Sequence, residues 1–545
     1  MLRSILSVGG FTAMSRVLGF LRDVATASYI GASMVSDAWY AAFRFPNLGR
    51  RIFGEGAFNA AFVPLFGREL NENGEESAAD FANQAFSWLI VILGVGMLVI
   101  VPLMPWFIMP LTVGFLDPPA FDSWAERLRA PEFWSWLGEA IRDPGGVEKF
   151  DLTVAYSRLM FSYLICMALT AHLGGVLNSL KIFAIPAFAP VLMNLVLLAG
   201  LFVFIPLLHK TEDKVACGWI LSWCVFVAGF AQLGLVWFAS WRHGMRVRPV
   251  RPRRSAGMRK LWDLMIPGIV SASIQQVNLI VGSLIASTQD KALSYLYYAD
   301  RIYQLPLGMI GIAFGVVLLP EITRRLRGGD EPGARRSLAR GVEFALLVTL
   351  PAMVAMLVIP RELISAIFER GKFTAESSAA TAAALTGFAA GLPGYVLIRV
   401  LQPGYFAQEN TRSPMKMAAV TVAVNIVASL ALFHFFAHVG IAVATAIAAW
   451  VNVALLWVGL GPFLEIPAAT RDRILRMIAA SLLMGAVVWA LARAFGDWFH
   501  GAGEAKRVTA LLAVVAAGVA SYVGLALATG AASLAELRGA FRRGR

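Results

Sequence analysis

Apolar runs near 20 residues long, parted by short polar breaks, recur along the whole chain. Runs of that length exceed the roughly 9–11 residues of a membrane-crossing strand and suit the roughly 20 residues of a spanning α-helix. Reading runs against breaks predicts fourteen spans, near residues 8–32, 33–48, 81–113, 152–178, 185–207, 216–241, 262–287, 292–320, 341–360, 379–406, 416–436, 438–460, 474–494 and 508–530. The second is short and broken by Pro46. The expected fold class is an all-α polytopic membrane protein.

Composition agrees. Of 545 residues, 58% are hydrophobic and 15% charged, against about 45–50% and about 25% in soluble domains. The net charge of +13 raises the possibility of nucleic acid, but in a membrane chain it is explained by positive cytoplasmic loops. With the N-terminus placed inside, the inner loops and termini hold 29 Lys and Arg, the outer loops 13, and the spans five. That asymmetry predicts fourteen spans with both termini cytoplasmic. The densest inner runs are Arg242 to Lys260 and Arg324 to Arg340. Cys166, Cys217 and Cys224 lie in apolar stretches and form no CxxC, so they read as buried apolar residues. Arg16, Arg22 and Asp23 interrupt the first apolar stretch, which argues against a cleavable signal.

The five arginines inside spans are Arg16, Arg22, Arg158, Arg301 and Arg399. An arginine at a helix centre costs on the order of 2.5–3.5 kcal/mol on insertion scales, so it needs a cavity or a partner. Arg158 lies near a span end, where it can snorkel. At 100° per residue, Thr12, Ser15, Arg16, Gly19, Arg22, Asp23 and Thr26 fall in one sector about 120° wide on the first helix. Such a face lines water or a polar partner; the plainer alternative is an internal Arg–Asp pair joining two helices. The second span carries Asp37, and the loop after it reads Arg50-Arg51-Ile-Phe-Gly54-Glu55-Gly56. In the eighth span Tyr297, Asp300, Arg301 and Gln304 share a face.

The halves of the chain resemble each other. Asp37 to Pro46 is similar to Tyr297 to Pro306, Phe62 to Leu70 to Leu318 to Leu326, and Pro186 to Asn194 to Pro414 to Asn425, in the same order. Six spans separate the copies, which implies parallel repeats about an axis along the membrane normal, with a central cavity between lobes. The expected division is an N-lobe (1–243), a C-lobe (244–461) and two surplus helices (462–545). Enzymatic motifs are missing: Gly371-Lys372-Phe373-Thr374 lacks the earlier glycine of a Walker A loop, and there is no HExxH or GxSxG. His434 and His438 have no third ligand nearby in sequence. A transporter is expected rather than an enzyme, with no cofactor, metal, nucleotide or nucleic acid.

Ser15-Arg16-Val-Leu-Gly-Phe-Leu-Arg22-Asp23, Ser36-Asp37-Ala, Pro46 to Phe58, Tyr298-Ala-Asp300-Arg301 and Gln402 to Phe406 together resemble the MurJ/MviN family of bacterial lipid II flippases. That family belongs to the multidrug/oligosaccharidyl-lipid/polysaccharide exporter superfamily. The resemblance covers essentially the whole chain. It implies two six-helix lobes around a V-shaped cavity, and a groove for the polyprenyl tail formed by helices 13 and 14. It further implies a monomer in the bacterial inner membrane that moves lipid-linked disaccharide-pentapeptide to the periplasmic leaflet for peptidoglycan synthesis. The implied substrate-binding residues are Arg16, Arg22, Asp37, Arg50 and Arg301, with Glu55, Asp23, Asp300 and Arg399. Some relatives bind sodium through a C-lobe carboxylate, but spans 11 and 12 here hold no Asp or Glu. The rivals are an ion-coupled multidrug or other lipid-linked oligosaccharide exporter of the superfamily, and a non-transport scaffold whose arginines only pair with Asp23, Asp37 and Asp300.

Overall fold

A computed structural model describes residues 2–49, 57–118, 126, 129–500 and 503–533, and no strand occurs among the described residues. The chain opens with α1 (Leu2–Ile30), α2 (Met34–Gly49) and α3 (Ala57–Glu72). Next come α4 (Gly74–Ile100), α5 (Met104–Thr112), α6 (Pro131–Arg142), and the pair α7 (Glu148–Phe161) and α8 (Tyr163–Ser179). Then follow α9 (Ala184–Ala199), extended by a π turn at Gly200–Phe204, α10 (Lys214–Arg242), α11 (Ala256–Ser287) and α12 (Ala292–Arg327). The remainder is α13 (Glu331–Val358), α14 (Pro360–Phe368), α15 (Ala375–Ala389), α16 (Leu392–Phe406), α17 (Arg412–Phe436), α18 (His438–Leu460), α19 (Ala468–Ala494), α20 (Gly496–His500) and α21 (Glu504–Ala528). A helix or helix pair covers each predicted span. Ten of the described helical segments are long and apolar enough to cross a membrane, and α1, α2, α11 and α12 fall outside that set.

Local chemistry sets the breaks. Between α1 and α2, Gly31 takes φ 62°, a conformation open to glycine at no steric cost. Ser33 donates to the Ile30 carbonyl at 2.8 Å, and Ser36 accepts from the Ser33 N–H at 2.8 Å, satisfying backbone groups exposed at the break. Asp213, Ser255, Asp330 and Thr374 cap the starts of α10, α11, α13 and α15 by accepting from a backbone N–H three residues on.

The chain forms two compact units, Met1–Ser294 and Tyr295–Arg545. In the first, α1 packs on α9, α2 on α7, and α9 and α8 on α10, while α11 packs on α3 and α5. An apolar cluster that includes Phe58, Phe62, Phe66, Phe81, Phe86, Leu173 and Val236 fills the space around α3, α4, α8 and α10. In the second unit, α17 packs on α18, and α13 on α16 and α19. Small residues bring α15, α16 and α18 together. A Cβ on Gly391 would stand 2.8 Å from the Ala446 Cα, and one on Gly387 2.8 Å from the Ala442 Cβ. Such stripes let backbones approach where lipid gives no hydrophobic drive between helices. Val354, Ile359 and Ala366 bury the inner faces of α19 and α21 through Met484, Val488, Val514 and Tyr522. At the end of α12, Glu321 accepts from Arg324 and Arg325, and the Arg325 hydrogen bond holds its carboxyl below the usual range.

Candidate functional site

The polar face of α1 divides in two. Arg22, 8% exposed, donates from Nε and Nη2 to Asp23 Oδ1 at 3.1 and 2.6 Å, and from Nη1 to Asn194 Oδ1 of α9 at 3.0 Å. Asn194 in turn donates to the Ser15 carbonyl at 2.9 Å. Ser15, Gly19 and Arg22 therefore face α9, and a Cβ on Gly19 would stand 3.5 Å from the Asn194 amide nitrogen. The guanidinium is fixed in one orientation by a carboxylate and an amide, a charge-assisted arrangement. Arg16, at the edge of the sector, is exposed.

Asp37 belongs to a separate cluster. It is fully buried in the first turn of α2. Its Oδ1 accepts from the Ser294 N–H at 2.9 Å and the Ser294 hydroxyl at 2.6 Å. Its Oδ2 lies 3.0 Å from Lys149 Nζ, at the start of α7. Lys149 also reaches Asp290 Oδ1 at 2.9 Å and sits 4.3 Å from the centre of the Phe115 ring. One lysine thus ties α2, α7 and the turn before α12.

In the second unit, Arg301 stacks over Tyr297 at 4.4 Å, one turn back on α12. Asp300 accepts from Gln304. Tyr303 packs edge-on against Tyr395 of α16 at 5.2 Å, within electrostatic reach of both Asp300 and Arg399. Arg399 itself is exposed. Asp300, Arg301 and Arg399 therefore gather around an aromatic patch. Arg50 and Glu55 lie outside the described residues.

The sequence model of the family described as "Lipid II flippase MurJ" matches residues 26–503. The chain belongs to the MurJ family. A "Probable lipid II flippase MurJ" of Rhizobium meliloti (strain 1021) is 39% identical over 553 aligned residues, covering 100% of this chain and 97% of the relative. A solved MurJ-family structure titled "Lipid II flippase MurJ, inward closed conformation" has the same fold, with TM-score 0.73 and 22% identity over 95% of this chain and 97% of that one. A multidrug MATE-family transporter of the MOP superfamily, in an inward-facing conformation, shares the fold more loosely. Its TM-score is 0.63 at 11% identity, over 85% of this chain and 95% of that one.

Within this MurJ-family chain, sequence reasoning missed Lys149, Asn194, Asp290 and Ser294. Lys149 counted only as one basic residue of an outer segment. Its position in the first turn of an apolar helix was the one available signal. Asn194 stood out as part of a repeat, and its bond to Arg22 spans 172 positions, beyond any local pattern.

Proposed function

We propose that this chain flips lipid II from the cytoplasmic to the periplasmic leaflet of the bacterial inner membrane by alternating access. The observation that carries the reading is the match along essentially the whole chain to a family of lipid II flippases. Physical chemistry supports it. Lipid II carries a diphosphate and peptide carboxylates, and arginine offers planar, permanently charged donors that bind phosphate in pairs. Arg16, Arg22, Arg50, Arg301 and Arg399 are the proposed donors, while Asp23, Asp37, Glu55 and Asp300 orient or separate them. Arg22 arrives preorganised, because Asp23 and Asn194 fix its plane. A cationic drug exporter would favour carboxylates at these places.

In this reading residues 1–243 and 244–461 act as lobes, with both termini cytoplasmic, and the protein works as a monomer. The helices of 462–545 lodge the polyprenyl tail, so that only the headgroup crosses. Closure of the periplasmic end is supported by the bonds from Ser294 to Asp37 and from Lys149 to Asp290, which join residues of 1–243 to residues of 244–461 and must part for that end to open. An inside-negative potential favours outward movement of an anionic headgroup, at about 2.3 kcal/mol per charge per 100 mV. Leaflet-resolved detection of lipid II in cells depleted of the protein tests the reading. Accumulation in the inner leaflet is expected, and an unchanged distribution would overturn it.

A further inference from the structure

Two basic runs were prominent in the sequence, and the structure treats them differently. In the run near 324–340, Arg324 and Arg325 pair with Glu321, Arg325 also with Asp330, and Arg335 with Glu331. Between Arg242 and Lys260 there are eight basic residues and no acid. Among the described residues, no carboxylate lies within ion-pair distance of Arg246, Arg248, Arg251, Arg253 or Arg254.

This second run is nevertheless tightly held. From Met245 onward it forms an extended strap across α4 and α10. The N–H groups of Arg248, Val250 and Arg253 donate to Asn83 Oδ1, Ser87 Oγ and Gln84 Oε1, each at 2.8 Å. Trp237 and Trp88 donate their indole N–H groups to the Val247 and Arg253 carbonyls at 3.0 and 3.1 Å, and Ser240 donates to the Met245 carbonyl at 2.8 Å. Met245 and Val247 are buried in the apolar cluster, so Arg246 and Arg248, alternating with them, point outward and are exposed. A loop needed only to set orientation requires charge; it does not require six side chains pinning its backbone.

The strap borders an open groove of about 1040 Å³, lined by Arg246, Arg248, Trp237, Phe238, Trp241, Glu76 and Asp80 among others. Trp237, Phe238 and Trp241 form the exposed end of a membrane-spanning helix, at 43%, 57% and 54% exposure. Arg246 stands 5.8 Å from the Trp241 ring. Fixed cations beside interfacial aromatics match the two parts of a phospholipid, the phosphate and the acyl chain. We propose that the strap Met245–Arg254 is a binding site for an anionic glycerophospholipid of the leaflet it faces, with the phosphate on Arg246 and Arg248 and the acyl chains along Trp237, Phe238 and Trp241. The five strap arginines outweigh Glu76 and Asp80, which favours an anionic headgroup over a zwitterionic one.

The test uses the purified full-length chain and native mass spectrometry with phosphatidylglycerol, phosphatidylethanolamine and phosphatidylcholine, and with lipid II as a separate arm. Phosphatidylglycerol should be retained preferentially. The triple variant R246Q/R248Q/R251Q should bind it more weakly by about fivefold per arginine, on the order of a hundredfold in all. The strap's backbone bonds do not use these side chains, so the variant should fold. R246K/R248K/R251K should retain most of the binding, since a surface phosphate needs charge more than a planar fork. Equal retention of the three phospholipids, preference for phosphatidylethanolamine, or undiminished phosphatidylglycerol binding by the glutamine variant would each overturn the proposal. So would loss of lipid II binding alone, which would make the strap part of the substrate path.

Discussion

Removing Lys149 should harm this protein more than removing Asp37, although the two are partners. Asp37 has no exposed side-chain surface, and Lys149 is its counter-ion at 3.0 Å. In Lys149→Met the carboxylate keeps only its two bonds from Ser294 and stays buried with an uncompensated charge. Breaking a buried pair from one side costs about 3–5 kcal/mol. In Asp37→Asn, the lysine retains Asp290 at 2.9 Å, and Asp290 is 90% exposed and so already hydrated. The amide oxygen can still accept from Ser294. That loss should be about 1.5–3 kcal/mol, the worth of a hydrogen bond to a charged group. The double variant removes both charges and should cost less than Lys149→Met alone. Thermal unfolding of the purified chain gives the readout, with a fall in Tm of roughly 3–5 °C expected for Lys149→Met. A double-mutant cycle supplies the coupling energy. If Lys149→Met melts within about 1 °C of wild type, or if Asp37→Asn is the more damaging change, the pair does not hold α2 to α7 as argued.

Asn194→Leu keeps the number and branching of the side-chain heavy atoms but removes both the acceptor for Arg22 and the donor to Ser15, so stability should fall by about 1.5–3 kcal/mol; an unchanged Tm would refute the clamp. Arg16→Ala should abolish complementation of a depletion strain at normal expression and unchanged Tm, because Arg16 is exposed, whereas Arg22→Ala should lose both activity and stability. Arg301→Ala combined with Asp300→Ala should remain inactive, and rescue at normal protein levels would assign Arg301 to pairing rather than substrate. Gly391→Ala places a Cβ 2.8 Å from the Ala446 Cα and should cost about 1–3 kcal/mol by overpacking, read as a lowered Tm with the overall helix content unchanged by circular dichroism.

Much of the architecture was legible in the sequence because lipid imposes a local rule. Every backbone group in the hydrocarbon must be satisfied within its own helix, so span positions follow from apolar runs, and ten of the described helical segments are long and apolar enough to cross a membrane. Residues that break the rule were equally visible: Arg22 and Arg301 stood out because charge is costly there. Their partners were another matter. The α1 stripe read as one polar face, yet packing divided it, turning Ser15, Gly19 and Arg22 toward Asn194 and leaving Arg16 exposed. Asp37 was visible only as an acid in the short second span, and only the fold gave it Lys149, 112 positions along the chain. The same holds for the two basic runs, alike in composition, of which one is paired with acids and the other is pinned by its backbone with its arginines outward. Helix formation and membrane insertion are decided within about 20 residues of sequence. Ion pairing depends on which helices meet and at what rotation, and that is set by the packing of entire surfaces.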